Sequence, residues 1–449
     1  MKILFVQPSN TINKNFINSL FKKIKITSWP PLSLQQVAAY TPKEHTIKLI
    51  DDNFEKVPYD EDFDLIAITA RTCVALRAYE IADEFRKRGK KVVIGGYHAT
   101  GLPEEAKKHA DIVVLGDAEG VWPKVIEDFE KGKTKDFYVS PKPPDPALIT
   151  PPLRDFGRSY ISLTATLQAT RGCPHNCEFC ALPNVPHGNI LRQRPIENMI
   201  DEIKSIRQKF LVFVDSSIST NPKYFKELFK AMIPLKRKFS GFANINVTND
   251  GELLELAKKA GCKSLSIGFD SVSQDSMNLV GKKVNKVDHY QEVVEKLHDY
   301  GISVIGCFIF GFDTDTKEIF KTTSDAISQL DLDCIRVNLL TPLPGTPVFK
   351  KMEKDGRILT RDWSKYDYQN VVFQPKNMTP EELRKGTIKV INDFFSVKNI
   401  TKKIFKSMNK GFYFTIPVTS YLISSRIYHR NLVGLNPLTQ KLGIKEIQV

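Results

Sequence analysis

Two stretches of alternating strand and helix patterns, separated by a proline-rich segment, constrain the fold of this 449-residue chain more than any other feature. In the first stretch, helical patterns at residues 75–88 and 103–109 lie between short apolar runs that predict strands. Those runs are residues 3–6, 47–50, 65–68, 92–94 and 112–115. Such alternation favours a parallel sheet with right-handed crossovers. We therefore predict an α/β fold that begins with a flavodoxin-like (Rossmann-type) doubly wound sheet over residues 1–137, whose ligands bind beyond the carboxyl ends of the strands.

The proline-rich segment, residues 138–160, contains six prolines, which neither continue a helix nor pair inside a sheet. It therefore predicts a stiff linker. The apolar runs that predict strands after it are residues 162–168, 211–214, 241–246, 264–267, 304–310 and 335–340. Amphipathic helical patterns separate them, for example at residues 195–210, 251–260 and 287–300. We predict a partial (β/α)6 TIM-type barrel over residues 161–375, with its chemistry at the carboxyl ends of the strands, and a basic helical C-terminal region over residues 376–449.

Composition excludes several classes of protein. The chain is 41% hydrophobic and 26% charged, which is ordinary for a folded protein and excludes a disordered one. Seven cysteines are too few for a disulfide scaffold. The first apolar run is too short for a signal-peptide core, and no run of about 20 apolar residues occurs. We therefore expect a cytoplasmic protein whose special cysteines bind a metal.

The net charge of +14 is concentrated in the C-terminal region, where residues 376–449 hold 13 Lys and Arg against four Asp and Glu. Its aromatic segment, residues 412–423, is too short and too polar to span a membrane. One interpretation is an interfacial segment that contacts a membrane peripherally and admits a lipid substrate. The other is a helix that caps the bottom of the barrel, with the basic charge on a solvated surface.

Three cysteines follow the first strand of the predicted barrel, in the sequence Arg171-Gly172-Cys173-Pro174-His175-Asn176-Cys177-Glu178-Phe179-Cys180. A structural zinc site needs four closed ligands, but the other cysteines are scattered singly and His175 lies inside the loop. Soft thiolates favour iron–sulfur binding. Three of them suit a [4Fe–4S] cluster with one iron open to an exogenous ligand. We therefore predict that Cys173, Cys177 and Cys180 are the metal ligands and the centre of the catalysis.

This CxxxCxxC motif resembles that of the radical S-adenosylmethionine (SAM) superfamily. The resemblance implies that the open iron of the cluster binds SAM, and that a reductant such as flavodoxin or ferredoxin triggers its cleavage to a radical. That radical would abstract hydrogen from an unactivated carbon. Residues 213–217, 266–271, 306–313 and 341–346 resemble later motifs of the superfamily in order and spacing. The resemblance assigns to SAM the residues Phe179, Asp215, Ser216, Ser217, Ser266, Asp270 and Phe310, although many relatives carry Glu in place of Asp270.

The loops Gly95-Gly96-Tyr97-His98 and Gly116-Asp117-Ala118-Glu119-Gly120 resemble those of the cobalamin-binding domain that precedes the barrel in one class of the superfamily. The residues that the resemblance assigns to cobalamin are Thr72, Gly95, Gly96, His98, Gly116 and Glu119. The DxHxxG motif that supplies a histidine ligand in other corrinoid proteins is missing, as it is in many members of this class. A role for His98 in bonding to the backbone is the alternative to a role as ligand.

The resemblance implies C-methylation of an unactivated carbon in a tetrapyrrole-like or lipid-like small molecule. Radical cyclisation or ring contraction with the same cofactors remains an alternative. RNA methylthiolation is disfavoured, because those relatives carry three further cysteines in the N-terminal domain and this chain has only Cys73 there. A cofactor sensor is the non-enzymatic alternative, but no DNA-binding or signalling module is found, so we expect no DNA partner.

Overall fold

A parallel sheet of six strands organises the N-terminal part of this computed structural model, which describes residues 1–9, 26–27, 32–154 and 161–408. In chain order these strands are β1 (Lys2–Gln7), β3 (Thr46–Asp51), β4 (Leu65–Thr69), β5 (Lys91–Gly95), β6 (Ile112–Leu115) and β7 (Phe137–Val139), while β2 (Ile26–Thr27) lies outside this sheet. The spatial order is β3-β1-β4-β5-β6-β7, and all five pairings are parallel. The chain therefore reverses its direction of winding between β1 and β4, where a ligand site is expected.

Helices cover both faces of this sheet, which makes it doubly wound as predicted. The helices of this part are Ser33–Ala38, Ala75–Lys87, Tyr97–Gly101, Pro103–His109 and Trp122–Glu130. One face packs Ile3 and Phe5 against Trp122 in a single buried cluster. The sixth strand, β7, was not predicted. It forms because Phe137, Tyr138 and Val139 favour extended structure, and it includes the first two residues of the predicted linker, ahead of its first proline, Pro141.

The described residues divide into two compact units. The first comprises the described residues up to Ser216 together with Thr341–Asp367, and the second comprises Ser217–Leu340 and the residues from Tyr368 onward. In the first unit, β9 (Ala165–Leu167) pairs in parallel with β12 (Phe210–Phe213). Its other short strands are β8 (Ile161–Ser162), β10 (Thr170–Arg171) and β11 (Arg192–Gln193), and its remaining helices are Ile196–Ser205 and Pro347–Lys354.

The second unit contains the other four strands of the predicted barrel series, paired in parallel in chain order. They are β13 (Lys238–Ala243), β14 (Cys262–Asp270), β15 (Ser303–Phe310) and β16 (Cys334–Leu339). The helices of this unit are Pro222–Met232, Gly251–Ala260, Gln274–Leu279, Tyr290–Asp299, Glu318–Gln329, Pro380–Phe394 and Val397–Met408. The predicted strand at residues 241–246 lies three residues earlier. The reason is that the Asn244 side chain accepts a hydrogen bond from the backbone N–H of Asn246 and starts a turn.

The C-terminal region is helical in its described part, as predicted. Its first helix begins with Pro380 after a capping box formed by Thr379 and Glu382. The aromatic segment at residues 412–423 lies outside the described residues, so its two interpretations stay predictions. Within the described residues, no helix is long and apolar enough to cross a membrane.

Candidate cofactor sites

A cavity of about 380 Å³, called here the edge cavity, opens at the carboxyl ends of the strands β1, β4, β5 and β6. Its volume lies at the lower end of the usual range for small-molecule sites. Three glycines predicted to contact cobalamin, Gly95, Gly96 and Gly116, line it. Arg171 and Gly172, which lead into the cysteine motif, line it as well. The predicted cobalamin loops and the start of the cysteine motif therefore share one cavity.

Backbone geometry explains why glycine stands at Gly96. Its φ is +104°, and a Cβ atom built there would lie 2.7 Å from the carbonyl oxygen of Ala70. Any larger side chain would therefore both strain the backbone and push neighbouring strands apart. At Gly116 the backbone N–H donates to Thr100 Oγ1 at 3.0 Å, which fixes the start of the next loop. These loops let a large ligand approach the backbone closely, as the predicted binding of cobalamin requires.

Buried ion pairs hold the 116–120 loop against the chain segments around the cysteine motif. Arg171 pairs with Glu119 and lies 3.7 Å from Asp117, and Arg192 pairs with the other oxygen of Asp117. Arg171 and Arg192 face each other across the β10–β11 ribbon. Burial raises the pKa of Glu119, but the charge and hydrogen bond of Arg171 outweigh it, and the pKa falls below its ordinary value. Glu119 is therefore ionised, and its carboxylate is paired with Arg171.

The cysteines lie in a loop, residues 172–191, called here the cluster loop. Cys177 is buried, and Cys173 and Cys180 are half-buried. Gly172 begins the loop with φ +84°, and a Cβ atom there would lie 2.1 Å from the carbonyl oxygen of Ile190. The backbone N–H of Cys173 donates to the carbonyl of Gly188 at 2.9 Å, which closes the loop on itself.

Three soft thiol donors in one closed loop match the ligand chemistry of an iron–sulfur cluster. Phe179 lies between the last two cysteines and is half-buried. Among the residues that the structure describes, no group of three or more His, Cys, Asp or Glu side chains is already arranged around a common metal position. The fit of this loop to a cluster therefore rests on its donor set and on its closure. The remaining thiols, Cys73, Cys262, Cys307 and Cys334, have pKa values raised by burial, as ordinary core thiols do.

Asp215, predicted to contact SAM, holds the chain segment that leads into the cluster loop. Its carboxylate accepts hydrogen bonds from the backbone N–H of Ala169 at 3.1 Å and from the Thr170 hydroxyl at 2.7 Å, and the N–H of Thr170 donates to it as well. Burial raises its pKa to about 6, so the group is largely ionised at neutral pH. The neighbouring Ser216 donates to the carbonyl of Gly172 at 3.0 Å. Both side chains therefore form hydrogen bonds with the chain segment that precedes Cys173.

The Asp215→Asn variant should lower the iron content after cluster reconstitution, because it replaces the charged acceptor of the Ala169 and Thr170 donors by a neutral amide with a single accepting oxygen. Loss of a charged acceptor from buried donors costs about 1–3 kcal/mol. Iron content and SAM affinity are measured in parallel, with Thr170→Val as the milder variant. A raised dissociation constant for SAM at unchanged iron content would instead support the role in SAM binding that the sequence predicts.

The remaining residues predicted to contact SAM lie in the second unit. Ser217 forms a buried hydroxyl pair with Ser219 at 2.7 Å. Ser266 is buried in β14, and Phe310 is buried at the end of β15. Asp270 is buried with a left-handed φ of +61° and forms an ion pair with Lys282, a partner that the sequence did not predict. The ammonium of Lys282 also donates to the carbonyl of Gly268 at 2.8 Å.

Two residues predicted to contact cobalamin do not line the edge cavity. Thr72 is buried in a short turn after β4. His98 is fully buried, and its Nε2 lies 3.2 Å from Glu105, which also accepts a hydrogen bond from Trp363 Nε1 at 2.8 Å. The imidazole therefore packs inside the domain, while the backbone N–H of His98 donates to the carbonyl of Ala70. Arg171 and Arg192 are the residues at this edge that the site prediction missed. Their pairing across more than 50 residues leaves no local signal in the sequence.

Comparison with known proteins first gives the class of protein. The family model described as the Radical SAM superfamily matches residues 167–327, and the model described as the B12 binding domain matches residues 27–126. The fold is similar to that of the radical S-adenosylmethionine methyltransferase TsrM from Kitasatospora setae, solved with cobalamin and a [4Fe–4S] cluster bound. The TM-score is 0.66 at 17% identity, over 79% of this chain and 78% of that one. The fold is thus that of a cobalamin-binding radical SAM protein.

Two relatives from Chlorobaculum tepidum narrow the family. The chain is 36% identical to bacteriochlorophyllide d C-12(1)-methyltransferase over 83% of its own length and 84% of the relative's. It is 31% identical to bacteriochlorophyllide d C-8(2)-methyltransferase over 82% of its own length and 86% of the relative's. The chain therefore belongs to the radical SAM superfamily, in the class with an N-terminal cobalamin-binding domain.

This membership confirms several predictions. The chain is an α/β protein with a cobalamin-binding domain followed by a radical SAM domain, and it is an enzyme of the radical SAM methyltransferase kind. Its cofactors are a [4Fe–4S] cluster, SAM and cobalamin. The sensor alternative and the RNA alternative fit these relatives less well.

Proposed function

We propose that this enzyme C-methylates an unactivated carbon on a tetrapyrrole-like macrocycle. The observation that carries the proposal is the edge cavity, where the cobalamin-side glycine loops and the start of the cluster loop form one lining. Radical formation and methyl donation must reach the same substrate carbon, and a shared cavity meets that requirement. The tetrapyrrole class is supported by the two bacteriochlorophyllide methyltransferases, each matched over more than four-fifths of its length.

The residues of the chain have distinct roles in this proposal. Cys173, Cys177 and Cys180 hold the cluster, and the glycine loops at Gly96 and Gly116 admit the corrinoid. When bound, the cluster with SAM supplies a carbon-centred radical and cobalamin supplies the methyl group. The protein contributes position and a dry environment. The apolar walls of the edge cavity exclude water that would quench a radical.

An external electron donor is part of the proposal, because the cluster must be reduced before each cleavage of SAM. A flavodoxin or ferredoxin is the expected class of partner. The substrate is a small molecule, and peripheral membrane contact is not proposed, because nothing in the described residues supports it.

Methyl transfer is tested with anaerobically purified protein loaded with cobalamin and cluster, with a reduced flavodoxin and SAM labelled in its methyl group. A bacteriochlorophyllide-type acid is the substrate, and mass spectrometry follows the product. We expect a product in which one labelled methyl group has replaced a hydrogen. The Cys177→Ala variant is the matched control and should give none. A product that has lost hydrogen without gaining the label would indicate the cyclase alternative and contradict the proposal.

A further inference from the structure

A short helix, Tyr97–Gly101, called here the brace helix, lies beside both glycine loops that are predicted to contact cobalamin. It begins directly after Gly96. The parallel ladder between β5 and β6 ends at the pair Ile94–Val113, and Gly96 and Gly116 both lie beyond that pair. Strand pairing fixes the spacing of two chain segments only where hydrogen bonds join their backbones. A further contact must therefore set the distance between the two loops.

Thr100, on the brace helix, supplies this contact. Its hydroxyl donates to the carbonyl of Gly96 at 2.9 Å and accepts from the backbone N–H of Gly116 at 3.0 Å, and its side chain lines the edge cavity. The first of these bonds is ordinary in helices, and Thr387 donates in the same way to the carbonyl of Leu383 at 2.8 Å. The second bond, from a different loop, distinguishes Thr100, because it makes one hydroxyl the bridge between the two glycine loops.

The brace helix is itself held in place by buried contacts within the same unit. His98 is fully buried, and its Nε2 lies 3.2 Å from the carboxylate of Glu105, which also accepts from Trp363 Nε1 at 2.8 Å. The rings of His98 and Trp363 meet edge-on, with their centroids 5.2 Å apart. A Cβ atom built at Gly101 would lie 2.5 Å from the carbonyl oxygen of Pro344, so the two backbones are in close contact. The helix cannot shift without breaking these contacts, and Thr100 therefore acts on the loops from a fixed position.

We propose that Thr100 is a positioning residue for cobalamin, because its hydroxyl sets the distance between the Gly96 and Gly116 loops before the cofactor binds. A binding surface that is already ordered loses less free energy on binding than one that the ligand must order. The imidazole of His98 contributes to this arrangement by anchoring the brace helix. The inference rests on the predicted contact of these loops with cobalamin and not on the substrate proposed above, so a failure of methyl transfer does not bear on it.

The test measures the dissociation constant of hydroxocobalamin by anaerobic equilibrium dialysis, using the full-length protein with its cluster reconstituted. The Thr100→Val variant keeps nearly the same shape and removes both hydrogen bonds. Its dissociation constant should rise about tenfold or more, since two net hydrogen bonds are worth that order. The Thr100→Ser variant retains the donor and the acceptor, so it should stay within about twofold of the wild type. Iron content should be unchanged in both variants.

Thr387→Val is the matched control, because it removes a hydroxyl bond of the same kind inside the helix Pro380–Phe394, away from the glycine loops. It should bind hydroxocobalamin as the wild type does. Urea unfolding of the cobalamin-free proteins separates positioning from stability alone. A Thr100→Val variant with a lower midpoint but a wild-type dissociation constant would overturn the proposal. Equal weakening in Thr100→Ser and Thr100→Val would overturn it as well, since the hydroxyl would then not be the cause.

A second pair of variants tests the anchor of the brace helix and keeps the proposal testable if Thr100→Val does not fold. Trp363→Phe keeps an aromatic ring but loses the N–H that donates to Glu105. Its dissociation constant for hydroxocobalamin should rise about threefold, as the loss of one hydrogen bond predicts. Tyr366→Phe is its control, because it loses only the hydroxyl bond to the nearby carbonyl of Thr360 at 2.7 Å, and it should bind as the wild type does. An unchanged dissociation constant in Trp363→Phe would overturn the anchoring of the brace helix.

Discussion

The Cys177→Ala variant is expected to lose its iron and all cleavage of SAM. A [4Fe–4S] cluster with an open iron has only three protein ligands, so removing one leaves too few to hold it. Cys177 is the buried member of the three and lies centrally in the motif. Iron content should fall from about four per chain to near zero, and methionine release from SAM should fall to the level of cluster-free protein.

The matched control for this experiment is Cys73→Ala. Cys73 is half-buried, and burial raises the pKa of its thiol, which disfavours the thiolate that a metal requires. Its removal should leave iron and SAM cleavage at wild-type levels. If Cys177→Ala still cleaves SAM, or if Cys73→Ala loses iron, the three-cysteine assignment is wrong.

Strands buried on both faces were the part of the fold that local sequence predicts best. β4 and β6 are continuous apolar runs, and a buried parallel strand needs no other signal. The end of β13 was misplaced because Asn244 ends the strand through a side-chain hydrogen bond, which competes with the ladder. Hydrophobic pattern thus locates a strand, while single polar side chains decide where it ends.

The cysteine motif was visible because its three donors lie within eight residues. The role of Asp215 was not visible in the sequence, because its partners Ala169 and Thr170 lie about 45 residues earlier and donate mostly through the backbone. The sequence did not predict the role of Lys282 for a related reason. Its ion pair with Asp270 depends on how the connection after β14 folds back. Contacts between distant segments, rather than motifs, therefore decide which predicted site residues are free to meet a cofactor.

The ion pairs between the 116–120 loop and the β10–β11 ribbon should prove essential to stability. Arg171→Met leaves the nearly buried carboxyl group of Glu119 without its partner. Removing one member of a buried pair costs about 3–5 kcal/mol, which is a large share of the usual 5–15 kcal/mol that stabilises a folded protein. The midpoint of urea unfolding should fall markedly, and bound corrinoid and iron should fall together, because the segment carrying Arg171 lines the edge cavity and leads into the cluster loop.

The chain offers two controls that separate this effect from general damage. Lys389→Met removes an exposed cation that pairs with the exposed Asp393 at 2.8 Å, and such pairs contribute about 0–1 kcal/mol. The Arg171→Met/Glu119→Gln double variant removes both buried charges, so it should recover much of the lost stability, since the cost lies in the orphaned carboxylate rather than in the absence of the pair. If Arg171→Met destabilises the protein no more than Lys389→Met does, the 116–120 loop and the β10–β11 ribbon are held together by packing alone. Cofactor retention would then have to be explained without these charges.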